Sequence, residues 1–261
     1  MARFRDPAGG RPRLARWSTG CLLAAALSAL SGPVVAACGD GVRPKVDWTG
    51  CSKRQLLLAG NDLSGAVMTR ASLTSTDFRK SKFAGATLAE ADVTFARFDD
   101  ADLTGADLTK VVGWQTSFRA ATLVKARLPT AQMSRATFTD AKMSEVSLTK
   151  SELNRSDFTG ADLTGADISK AELSRVNFGK AKLAGVDFGF SNLARARFEG
   201  ADLAGAKFAG AYLFLTQFEG TDLTKATGLK QEQLDLSCGT RDTKLPSGLK
   251  PPKSWPCPDD E

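Results

Sequence analysis

Residues 161–180 read ADLTG ADISK AELSR VNFGK. They form four blocks of five. Each block carries a large apolar residue third (Leu163, Ile168, Leu173, Phe178) and a small residue first (Ala161, Ala166, Ala171, Val176). The other three places are polar or glycine. The pattern continues outward in both directions. From Leu58 to Leu223 every fifth residue is large and apolar, with Gly113 the one exception. Two places before it, from Ala66 to Thr221, stands Ala, Ser, Thr or Val at every step.

A second period lies inside the first. Phe78, Phe98, Phe118, Phe138, Phe158, Phe178, Phe198 and Phe218 recur every 20 residues. An internal repeat decides architecture before any local signal does. Spacing five suits neither an amphipathic helix, which needs three and four, nor a half-buried strand, which needs two. Each block therefore reads as one short extended side plus a corner, and four blocks as a coil of four sides. Residues 20 apart stack, so the Phe series is one column of a core. The small residue also points inward, where a large one would overfill a narrow lumen. Gly at Gly65, Gly85, Gly105, Gly160, Gly165, Gly185 and Gly205 closes blocks at corners that need unusual φ. Asp102, Asp107, Asp162 and Asp167 stand where a side chain can bond turn amides.

Blocks such as ADLTG (101–105 and 161–165) and ADLAG (201–205) resemble the pentapeptide-repeat family. The resemblance covers about two thirds of the chain. It implies an all-β right-handed quadrilateral β-helix of about 8 coils with short terminal caps. Stacked at roughly the 4.8 Å strand separation, the coils make a rod of about 40 Å. Solenoid ends need caps. The expected organisation is a signal peptide at 1–37, an N-terminal cap at 38–55 with Trp48, the β-helix at 56–225, and a C-terminal cap and tail at 226–261. Residues 227–236 are expected to hold a short helix, and Trp255 to anchor the tail.

The N-terminus reads as an export signal. Arg3, Arg5, Arg11, Arg13 and Arg16 precede the apolar run Leu22–Leu30 and the small-residue site Val35-Ala36-Ala37. The expected location is periplasmic or secreted. Cleavage there removes Cys21 and leaves Cys38, Cys51, Cys238 and Cys257, two before the repeats and two after. An even set so placed, in an oxidising compartment, reads as one disulfide at each end. Val35-Ala36-Ala37-Cys38 also resembles a lipobox, which would make Cys38 lipidated and the protein a membrane-anchored lipoprotein. Both readings stay open.

The chain carries formal net charge +6. Without residues 1–37 the remainder is near +2, and from Leu58 to Leu223 acids and bases balance at 20 each. Some relatives by resemblance imitate B-form DNA and bind gyrase, a role that needs a strongly negative surface. A neutral rod is a poor imitation, and it lacks the basic excess for binding nucleic acid. There is no His, which removes the commonest general base and metal ligand. Ser and Thr are left without an evident activating base. No catalytic residue, metal or cofactor is assigned, and the chain reads as a non-enzyme.

One side of the stack stands apart. Its corner carries Arg135, Arg155, Arg175 and Arg195, with Glu152 and Glu172 on the same side and Lys150 and Lys170 on the adjoining edge. Phe95 and Trp114 lie toward one end, Tyr212 and Phe214 toward the other, and Phe190 on the adjoining edge. Exposed aromatics with Arg are the usual composition of a binding surface, and an unidentified protein partner is expected there. The structural alternative covers Tyr212, Phe214 and Leu215 with the tail and folds Trp114 inward beside Gly113. The overall expectation is a rigid interaction or scaffold protein of the cell envelope. A homodimer through a rod end is left open, as the resemblance implies.

Overall fold

The computed structural model describes residues 38–257. The expected signal segment, with Cys21, lies outside the described residues. The rod is a right-handed quadrilateral β-helix, and its register is set by the 20-residue period. Parallel bridges join Asp47 to Val67, Ser52 to Ser72, Leu57 to Asp77 and Asp62 to Lys82, and continue in steps of five to the pair Arg197 and Gln217. On each side the apolar residue donates upward and the residue before it in the next coil donates back. Leu163 N–H thus meets Lys182 O at 2.9 Å, and Lys182 N–H meets Ala161 O at 2.9 Å.

The corners explain the spacing of five. Ala166 N–H donates to Leu163 O at 2.9 Å, closing a turn whose third residue, Gly165, has φ +69°. Asp side chains support the same turns, as Asp102 does by accepting from Thr104 N–H at 3.0 Å. Every fifth residue from Lys45 to Gly220 has positive φ, and most are not glycine. Such φ costs an ordinary L-residue roughly 1–2 kcal/mol. The ladder holds it, because each corner amide also bonds the next coil: Arg155 N–H meets Ser174 O at 2.9 Å.

The lumen is filled. The eight Phe of the 20-residue series are fully buried, with successive rings stacked at 4.6 to 5.3 Å between centroids. Phe83, Phe188 and Phe208 meet that column edge-on. Where the small inward residue is polar, its hydroxyl returns to a backbone carbonyl, as Ser156 does to Met133 O at 3.0 Å. No buried side-chain polar atom among the described residues lacks a partner. Gly113 leaves no hole. A Cβ there would meet Thr116 Oγ1 at 2.8 Å and Met133 Cε at 2.9 Å, so those two already occupy the space. Trp114 does not fold inward as the alternative had it; it is 41% exposed.

Both ends are closed by side chains the repeat does not supply. The ladder begins at Lys45 and Asp47, inside the stretch assigned to the N-terminal cap. The 20-residue bridges run from Asp47 to Thr227, or about nine coils, where the sequence reading had about 8; the rung between Asp202 and Asp222 is the one missing from that run. Trp48 takes an inward place and is buried, its indole N–H donating to Asp40 O at 3.2 Å. Lys53 stands at the next inward place, with Nζ 4.5 Å from the Trp48 ring centroid. At the other end the register slips, pairing Gln217 with Cys238 and Asp222 with Lys244. The extra residues form α1, Gln231–Leu234, within the stretch where a short helix was expected. Leu229 and Leu245 pack against the end of the core, Leu234 is buried, and the Gln233 amide donates to Phe208 O and Ala211 O. Disulfides join Cys38 to Cys51 and Cys238 to Cys257.

Candidate partner-binding face

A filled rod works from its outward positions. Arg135, Arg155, Arg175 and Arg195 occupy one corner column, one coil apart, at φ between +58° and +61°. The side running into that corner carries Gln132, Glu152, Glu172 and Asn192 in bridge register. Lys150 and Lys170 hold the opposite edge of the same side. The structure thus brings the sequence-assigned charges together on one face.

None of these six cations is ion-paired, while six of the fourteen other cations between Leu58 and Leu223 are. Lys110 meets Glu90 at 3.9 Å, Lys125 meets Glu145 at 3.7 Å, Lys182 meets Asp162 at 3.5 Å and Lys207 meets Asp187 at 3.7 Å. None of the four corner Arg, nor Lys150 or Lys170, has a carboxylate oxygen within 4.0 Å among the described residues. Glu172 instead accepts from Asn192 Nδ2 at 2.8 Å. Arg135 lies 6.0 Å from the Trp114 ring centroid, within reach of a cation–π contact.

The aromatics bracket the charges. Toward the N-terminal end Phe95 and Trp114 meet edge-on at 5.0 Å, both outward. Toward the other end Tyr212 and Phe214 lie parallel, 6.2 Å apart. Phe190 is 69% exposed and lies over Gly210, where a Cβ would meet its ring at 2.7 Å. The tail does not cover this group, contrary to the alternative. Tyr212 is 49% exposed and Phe214 40%, while Leu215 is partly buried and its amide donates to Leu236 O. Trp255 packs on Gly239 and donates from its indole to Ser237 O at 2.7 Å.

Two exposed apolar residues on this side escaped the sequence reading. Val112 sits at an outward place beside Trp114, and the run Val111-Val112-Gly113-Trp114 held the signal. Leu236 lies beyond the repeats, where no period marks it.

The carboxylates with displaced acidity lie on other sides of the rod and serve turns. The Thr49 hydroxyl and amide hold Asp47 below the usual carboxylate value. The Arg79 guanidinium does the same for Asp77, and Thr224 for Asp222. A shallow depression of about 210 Å³, lined by Asp202, Ala204, Asp222, Thr224 and Lys225, marks a missing rung between Asp202 and Asp222. No group of three or more metal-ligating side chains occurs among the described residues. No helix there is long and apolar enough to cross a membrane.

The comparisons bear on the repeat itself. The family described as pentapeptide repeat region matches residues 114–188. The family described as pentapeptide repeats (8 copies) matches 57–88, 76–112, 171–210, 181–218 and 191–227. No curated protein matches the chain. Among solved structures, it is similar to HetL, a pentapeptide repeat protein involved in heterocyst differentiation regulation from the cyanobacterium Nostoc sp. strain PCC 7120. Identity is 27%, covering 77% of this chain and 91% of that one, with TM-score 0.43. It is also similar to full-length QnrB1, a plasmid-mediated fluoroquinolone resistance protein, at 17% identity, 77% and 91% coverage, and TM-score 0.43. A pentapeptide repeat protein of the Arabidopsis thaliana thylakoid lumen is 28% identical over 33% of this chain and 64% of that one, with TM-score 0.28.

Proposed function

The chain belongs to the pentapeptide-repeat family, and on that premise we propose that it is a non-enzymatic rigid interaction rod of the cell envelope, periplasmic or secreted. The observation that carries the reading is the face just described, where four Arg in one corner column and two Lys on the facing edge, none of them ion-paired, are bracketed by exposed aromatics. The filled lumen favours a surface role over an enclosed catalytic site, since ligand and active sites are mostly concave. The export reading rests on the sequence of residues 1–37 and on a disulfide at each end, the pattern of an oxidising compartment. The sulfur of Cys38 lies in the bond to Cys51, which favours the soluble form over a lipid-anchored one.

The test is capture from the native envelope after crosslinking, with wild type and the double variant Arg155→Glu with Arg175→Glu. Both side chains are outward, so the fold is expected to persist. Loss of a specific captured component with unchanged β-sheet circular dichroism supports the reading. An identical capture profile from both proteins refutes it. Intact mass with and without reductant tests the location. Four mass units gained on a chain beginning at Cys38 means two disulfides, and acyl mass on Cys38 means an anchored rod.

A further inference from the structure

We propose that the Arg face binds a linear acidic polysaccharide, one bearing a carboxylate or sulfate at regular intervals and lying along the rod. The inference rests on the reading of this face as a binding surface and names what it binds. Between Thr130 and Arg195 the face and its two edges carry Arg135, Lys150, Arg155, Lys170, Arg175 and Arg195. Against these stand only Glu152 and Glu172. The repeat region is neutral in sum, with 20 acids and 20 bases, so this is a sorting of charge onto one side rather than an excess.

The arrangement is periodic. The four Arg repeat at the coil separation, roughly 4.8 Å, and so span about 14 Å in a straight line. A column of identical cations is matched best by a ligand whose anions also recur along its length. Guanidinium groups pair bidentately with carboxylate or sulfate oxygens. The face is a flush wall of outward side chains on a filled coil, so the ligand lies along it and is extended. At each end an aromatic group is ready for the apolar C–H face of a sugar ring: Trp114 with Phe95, and Tyr212 with Phe214.

The other occupants fit less well. A second copy laid face to face about a two-fold axis in the plane sets basic edge on basic edge and Glu152 and Glu172 against themselves. A single-stranded nucleic acid needs stacking surfaces interleaved with its cations. Here no aromatic lies beside Arg155 or Arg175, since Trp114 and Phe190 flank the column only at its ends. A folded acidic protein offers carboxylates without this regular spacing.

The test uses the chain with both disulfides formed, titrated calorimetrically with polygalacturonate as the defined probe. Neutral dextran, poly-L-glutamate and oligothymidylate serve as comparison polymers. Polygalacturonate is expected to bind, more weakly as salt rises, because exposed charges are screened. Arg155→Glu with Arg175→Glu is expected to weaken it roughly tenfold or more. The milder pair Arg155→Gln with Arg175→Gln guards against a folding defect and is expected to weaken it less. Lys180→Glu, on another corner, is expected to leave it unchanged. No binding of polygalacturonate, or equal binding by the Arg variants, overturns the proposal. Tighter binding of poly-L-glutamate overturns it in favour of an acidic protein, and tighter binding of oligothymidylate in favour of nucleic acid. If no polymer binds but the envelope capture still depends on Arg155 and Arg175, only this inference falls and the interaction rod stands.

Discussion

Ala120 and Ala121 are neighbours in sequence, and replacing each by glycine is expected to move stability in opposite directions. Ala120 is an exposed corner residue at φ +53°. Its amide donates to Thr139 O at 2.9 Å, a bond that glycine keeps. Glycine there relieves a left-handed conformation worth roughly 1–2 kcal/mol and loses about 0.5–1 kcal/mol to its greater unfolded-state freedom. The net expectation is a gain of about 0.5–1 kcal/mol. Ala121 points into the lumen and is fully buried, with its amide on Phe118 O at 3.1 Å. Glycine there forfeits a buried methyl, about 0.8 kcal/mol, and adds the same entropy loss of about 0.5–1 kcal/mol. That totals a loss of about 1.5 kcal/mol, so the two variants are expected to differ by about 2 kcal/mol. The assay is urea unfolding by circular dichroism, comparing midpoints at unchanged slope. If both variants destabilise to a similar degree, the corner conformation is not the strained element argued here, and the account of why the chain turns every five residues fails.

Three further outcomes follow from the core, the staples and the turns. Phe158→Ala removes a ring stacked on Phe138 at 4.6 Å and Phe178 at 5.3 Å, and is expected to cost about 3–5 kcal/mol, read from the urea midpoint. Cys238→Ser with Cys257→Ser opens a bond across a sequence separation of 19 and is expected to cost about 3 kcal/mol, with protease sensitivity rising first in the C-terminal coil. Asp47, Asp62, Asp77 and Asp222 titrate below the ordinary carboxylate value in the fold, because Thr49, Ser64, Arg79 and Thr224 respectively donate to the charged form. A lowered folded value means stability present above the unfolded value and lost as pH falls through the folded one. The urea midpoint is therefore expected to hold from pH 7 to 5 and fall below about pH 4.

The architecture was legible because the lumen leaves the sequence so little choice. Large residues must recur at every fifth place and small ones two before, and the Phe column announces the number of sides. The ends were less legible. Trp48 and Lys53 complete the first coil, yet they do not look like a repeat, since a cap must close the lumen rather than continue it. Corners were legible only where they are glycine. Arg135 and Phe190 give no local sign of positive φ, because the ladder rather than the residue imposes it. Gly113 misled for a related reason. A gap in a periodic column reads as a void, but Met133 one coil away is flexible enough to fill it. Whether the aromatics are covered was not legible, because it depends on where a non-repeating tail settles.

Three costs fall together on one side of the rod. Four like charges one coil apart repel, and none of the four has a carboxylate partner. Phe190, Tyr212 and Trp114 hold apolar surface in water. Phe95 and Phe190 place bulky rings on left-handed backbone, where φ > 0 is a genuine outlier for a large side chain. The fold requires none of these, since Gly, Lys or Asp serve at equivalent corners elsewhere. Each is tolerable alone, and along a solenoid each coil feels only its neighbours, so unrelated costs would scatter around the four corners. Apart from Leu56, Leu57 and Val67 near the N-terminal end, they gather on one face over consecutive coils. A ligand that brings regularly spaced anions and ring surface to that face offsets the repulsion and covers the aromatics in one contact, and this convergence is why the binding surface is placed there rather than at either capped end.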